Sequence, residues 1–100
     1  MQNIKNEAPE VYDGFINLTR ALQTCSGVDE KTKELIIIGI MTADKATRGI
    51  TTHVKRALEH GAEKKEIVSA ILFALPVVGI TKVTPALQTA LDVIKQVKGE

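Results

Sequence analysis

The chain has 100 residues, 13 of them Lys or Arg against 12 Asp or Glu, and 44% are hydrophobic, with Tyr12, Phe15 and Phe73 as the aromatic side chains. Acids and bases are mixed, leaving no sustained positive field to hold a phosphate backbone, so no nucleic-acid partner is expected. The longest apolar stretch, residues 67–80, is too short to cross a bilayer, residues 1–10 lack the apolar core of a signal peptide, and one cysteine, Cys25, cannot form an internal disulfide, so a cytoplasmic protein without membrane association is expected.

The length predicts one domain, residues 1–100, with a single aliphatic core. From Glu7, the residues Val11, Phe15, Leu18, Leu22 and Cys25 recur at steps of four and three, predicting an amphipathic helix with Pro9 in its first turn and Gly27 as its stop. Asp29 is placed to cap a second helix running to about Lys45, with Glu30 in its first turn. The run Ile36-Ile37-Ile38 is compatible with a buried strand, but the length of the segment favours a helix. Its apolarity on every side predicts contact with another subunit.

After a break near Ala46 to Gly49, Ile50, Val54, Ala57 and Leu58 trace a third helix closed by Gly61. Ile67, Ala70, Ile71, Ala74 and Val78 mark a fourth, kinked or ended by Pro76. Thr84 and Pro85 read as the cap and first residue of a last helix carrying Leu87, Leu91, Ile94 and Val97. The expected fold is all-α, with five to six helices and an apolar oligomerisation surface.

The basic residues Lys31, Lys33, Lys45 and Arg48 are interleaved with Asp29, Glu30, Glu34 and Asp44 and read as a solvated face. His53 and His60 lie two turns apart on one edge of helix three, about 10 Å along the axis, which is too far for one metal ion. No metal or other cofactor is therefore expected. Glu34 has two open readings: a surface carboxylate paired with Lys31 or Lys33, or an inward one facing His53. In the second, the carboxylate would orient the imidazole for general acid–base work. Tyr12 and Cys25 fall on or beside the first helix's apolar stripe and read as core or interface residues.

The string Lys31-Thr32-Lys33-Glu34-Leu35-Ile36, then His53 with Ala57-Leu58, Gly61-Ala62 and Glu66-Ile67, resembles the carboxymuconolactone decarboxylase family, which includes alkylhydroperoxidase D. The similarity spans about Pro9 to Ile94, and the nineteen-residue separation of Glu34 from His53 matches that of the family's site glutamate and histidine. The resemblance implies an alkylhydroperoxidase D-like helical fold, assembly into trimers or hexamers, and catalytic roles for His53 and Glu34.

Two departures bear on the reaction. The peroxidase branch carries a Cys-x-x-Cys pair where this chain has Ala46 and Gly49, so dithiol peroxidase activity is not expected. The decarboxylase branch carries Tyr-x-Gly-x-Pro where this chain has Val77, Gly79 and Thr81, keeping only the glycine. Three functions remain as expectations: a lyase-like enzyme that decarboxylates or otherwise processes a small carboxylate or lactone, a non-catalytic binder of an organic ligand or partner, and a peroxidase-like protein using Cys25.

Overall fold

The computed structural model describes residues 1–99. It is all-helical: α1 (Gln2–Glu7), α2 (Pro9–Cys25), α3 (Glu30–Ala43), α4 (Thr47–Glu59), α5 (Lys64–Leu72), the four-residue α6 (Leu75–Val78) and α7 (Ile80–Lys98). The all-α expectation holds. Among the described residues, no helix is long and apolar enough to cross a membrane.

The core belongs to α3, α4, α5 and α7, which pack on one another through Ile38, Ile50, Val54, Ala57, Ile67, Ile71, Val83, Ala86, Ala90 and Ile94. On α3, Glu34, Ile38 and Thr42 recur every fourth residue along the buried line. The Thr42 hydroxyl is satisfied by donating to the Ile38 carbonyl at 2.8 Å. Ile36 and Ile40 lie on the other side of α3 and are largely exposed. The continuous apolarity of this helix is therefore only half used within one chain.

Local chemistry sets most of the boundaries. The Asp29 carboxylate accepts from the Thr32 N–H at 2.8 Å, capping α3 as expected, and those Thr32 hydrogen bonds hold the Asp29 carboxyl below the usual carboxylate range. Gly61, in the left-handed region, closes α4. A reciprocal capping box of Glu63 and Glu66 starts α5, with the Glu66 carboxylate accepting from the Glu63 N–H at 2.9 Å. The same Glu66 carboxylate holds Lys31 at 3.1 Å, tying α5 to α3. Pro76 ends the fourth predicted helix as expected, by opening the separate short α6.

Two expectations require correction. Thr84 and Pro85 do not begin the last helix, which starts at Ile80 and carries Pro85 in its interior. Gly79 sets that start: with φ 91° and ψ 168° it occupies a region open essentially only to glycine and turns the chain from α6 into α7. Pro85 is tolerated because it and Thr81, whose carbonyl loses its helical donor, both lie on the exposed side of α7. The second correction concerns α2. Its apolar stripe forms as predicted but does not enter this protomer's core: Val11, Phe15, Leu18 and Leu22 are between 50% and 64% exposed, and none of its residues is buried. Its principal packing partner is α1, whose Lys5 ammonium sits 5.4 Å from the centre of the Tyr12 ring.

Candidate functional site

Glu34 lies on the buried line of α3, and His53 lies on α4 beside the core residues Ile50, Val54 and Ala57. Because α4 packs along α3, the two side chains meet: His53 Nδ1 is 2.5 Å from Glu34 Oε1. The Glu34 side chain is 1% exposed and that of His53 15%. Lys33 Nζ lies 3.1 Å from the other oxygen, Glu34 Oε2, and 2.9 Å from Glu30. The inward reading of Glu34 holds and the surface one does not, although a lysine, Lys33 rather than Lys31, still reaches its second oxygen. Lys33 is held more firmly protonated than an ordinary lysine, first by the Glu30 hydrogen bond, against a smaller opposing effect of burial, with Glu34 adding to it.

A buried carboxylate is tolerated only when paired and hydrogen-bonded, and here each oxygen has a partner. This engagement fixes the imidazole plane and commits Nδ1 to Glu34. The other ring nitrogen, Nε2, has no protein partner among the described residues, and His53 lines a cleft of about 530 Å³ between the end of α2 and the α3–α4 pair. Leu22, Val28, Ile36, Ile37 and Ile40 form apolar walls, while Lys33, His53 and Arg56 supply the basic groups. Among the described residues, no carboxylate side chain lines the cleft; Glu34 sits behind His53 and Lys33.

His60 is exposed at the C-terminal end of α4 and does not line this cleft. Cys25 is exposed at the α2 edge of it, so of the core and interface positions expected for it the core one does not hold. Tyr12 is half-buried under Lys5, outside the cleft. Among the described residues, no group of three or more His, Cys, Asp and Glu is placed to hold a metal ion. Ala46 precedes α4, and Gly49 lies in its first turn, where a Cβ would run into the Met41 side chain of α3.

Sequence reasoning missed Arg56 as a cleft residue and left Lys33 undistinguished from Lys31 as the partner of Glu34. The signal for Arg56 is its position three residues beyond His53, on the same helix edge.

The fold is thus an all-helical domain that buries a glutamate behind a histidine at the wall of an apolar cleft. The residue pattern that defines the carboxymuconolactone decarboxylase family matches residues 9–92, and the chain belongs to that family. It is 31% identical over 97 residues to the uncharacterized protein MJ0742 of Methanocaldococcus jannaschii, covering 96% of this chain and 89% of that protein. It is 22% identical over 90 residues to MJ1511, an uncharacterized protein of the same organism, covering 90% and 84% of the two chains. Among solved structures, apo-lpg0406, a carboxymuconolactone decarboxylase family protein of Legionella pneumophila, shares the fold with a TM-score of 0.81 at 24% identity, over 95% of this chain and 84% of that one.

Proposed function

We propose that the protein is a non-redox member of its family that decarboxylates or otherwise processes a small carboxylate or lactone, with His53 as general acid and base and Glu34 as its orienting partner. The observation that carries this reading is the 2.5 Å contact of His53 Nδ1 with a carboxylate that is 1% exposed, which leaves Nε2 as the ring nitrogen for a ligand in the cleft. With Nδ1–H donating to Glu34, the Nε2 lone pair accepts a proton from substrate or water, and the imidazolium so formed is neutralised by the carboxylate behind it. In a decarboxylation, the C–C bond to the carboxylate breaks, its electron pair stays on the substrate, and Nε2–H delivers the proton that quenches it.

A second reading, ligand binding without turnover, is favoured by the incomplete family motifs, with Ala46 and Gly49 in place of the thiols and Val77 and Thr81 in place of the tyrosine and proline. A thermal-shift screen of small carboxylates and lactones on the wild type and His53→Gln, followed by product analysis with each hit, separates the two. A ligand at a hundred times its Kd stabilises by about 2.7 kcal/mol. Shifts lost in His53→Gln together with product support catalysis; shifts without product support binding alone. Shifts equal in both proteins refute the site.

We further propose that the working form is a homo-oligomer, a trimer or hexamer. The protomer exposes 6680 Å², against roughly 5,500 Å² for a compact chain of this mass. The surplus of about 1,100 Å² exceeds the ~800 Å² that each partner gives to an ordinary interface. The α2 stripe and the apolar hollow formed by Ile36, Ile40, Phe73 and Val77 are the surfaces available to a second copy.

A further inference from the structure

We infer that Arg56 is the anion anchor of the cleft, binding the carboxylate of a small organic anion with an apolar body and so setting which atom of that ligand meets His53. This inference rests on the reading of the Glu34–His53 cleft as a ligand site. Arg56 and His53 both line the cleft, three residues apart on α4, which separates their backbone positions by about 4.5 Å along the helix axis. The two cationic side chains of the lining differ in what they have left to give. Lys33 is held by Glu30 at 2.9 Å and Glu34 at 3.1 Å, so its charge is already matched. Arg56 forms no ion pair among the described residues, and no carboxylate side chain lines the cleft to compete for it.

A guanidinium presents a planar fork that pairs with both oxygens of a carboxylate, which fixes direction as well as charge. The apolar walls Leu22, Ile37 and Ile40 then take the ligand body. Spacing on the helix sets the ligand's anionic end about one turn from the imidazole, so the atom that exchanges a proton lies a few bonds from the carboxylate. Arg56 also stands in the last turn of α4, where a cation is favourable to the helix dipole. That structural role predicts a loss of stability on substitution but no change in which ligands bind.

The test is an NMR titration of the full chain with benzoate and hexanoate, each against its neutral amide, following the His53 ring protons in the wild type, Arg56→Gln and Arg56→Lys, with Tm measured for each. The expected result is that Arg56→Gln weakens both carboxylates at least tenfold and leaves the amides unchanged, while Arg56→Lys, a point charge without the fork, falls between. Wild-type carboxylate affinity in Arg56→Gln, with or without a lower Tm, overturns the anchor and leaves the His53 site standing. Carboxylates that leave the wild-type His53 resonances unmoved overturn the ligand site and the anchor with it.

Discussion

Replacing His53 by Ala strips one oxygen of a carboxylate that is 1% exposed of its 2.5 Å partner. Breaking a buried pair from one side typically costs about 3–5 kcal/mol, because a charge is left without compensation. Here Lys33 still holds Oε2 at 3.1 Å, and the vacated space opens onto the cleft, where water can enter. The expected cost is therefore about 2–3 kcal/mol, a fall in Tm of roughly 10–20 °C for a domain of this size. Glu34→Gln removes the charge while keeping the shape. In that background His53→Ala strands no ion and should cost about 1 kcal/mol. The double-mutant cycle should then show a coupling of about 1.5 kcal/mol, read by urea unfolding with far-UV circular dichroism at pH 7.5 and one fixed protein concentration. Additivity to within about 0.5 kcal/mol would refute the view that the two side chains stand or fall as a unit.

Acid should weaken the fold through the N-terminal end of α3 and its tie to α5. The Glu66 carboxyl is held below its ordinary range first by the Glu63 N–H and then by Lys31, and that of Asp29 by Thr32, so near pH 4 the unfolded chain binds more protons than the folded one. Their contribution is present above the unfolded carboxylate pKa and is lost as pH falls; the urea midpoint should decline between about pH 6 and pH 3, less steeply in Glu66→Gln, and equal slopes would count against the assignment. Gly79→Ala, which forces a side chain into φ 91°, should cost about 1–3 kcal/mol by thermal unfolding. Phe15→Glu combined with Leu18→Glu should reduce the proposed homo-oligomer to single chains in size-exclusion chromatography with light scattering, while circular dichroism stays helical, because neither side chain supports the protomer's own core.

The helices themselves were legible because their periodicity and punctuation agree: Asp29 caps α3, Gly61 closes α4, and the apolar spacing of α4 places His53 beside the core. The start of α7 was not legible, since Thr84-Pro85 is a strong local start signal and the overriding one is a backbone angle at Gly79. The α2 stripe was read correctly as amphipathic, yet periodicity reports only that a face is apolar and says nothing about which chain covers it. For the site, Glu34 shares a four-residue line with Ile38 and Thr42, a pattern that marks it as inward-facing. Its bond to His53 needed the crossing of α3 and α4, a tertiary fact. The sequence leaves Lys31 and Lys33 as equal candidates for Glu34, and the choice of Lys33 follows from Glu66 on α5 taking Lys31.

The nearness of Met41 on α3 to Gly49 on α4 bears on what position 49 accepts. A side chain at position 49 would meet the sulfur and terminal methyl of Met41, the far end of a flexible and only partly buried side chain that can swing aside. A larger residue at position 49 is thus accommodated by a change of Met41 rotamer rather than by parting α3 from α4.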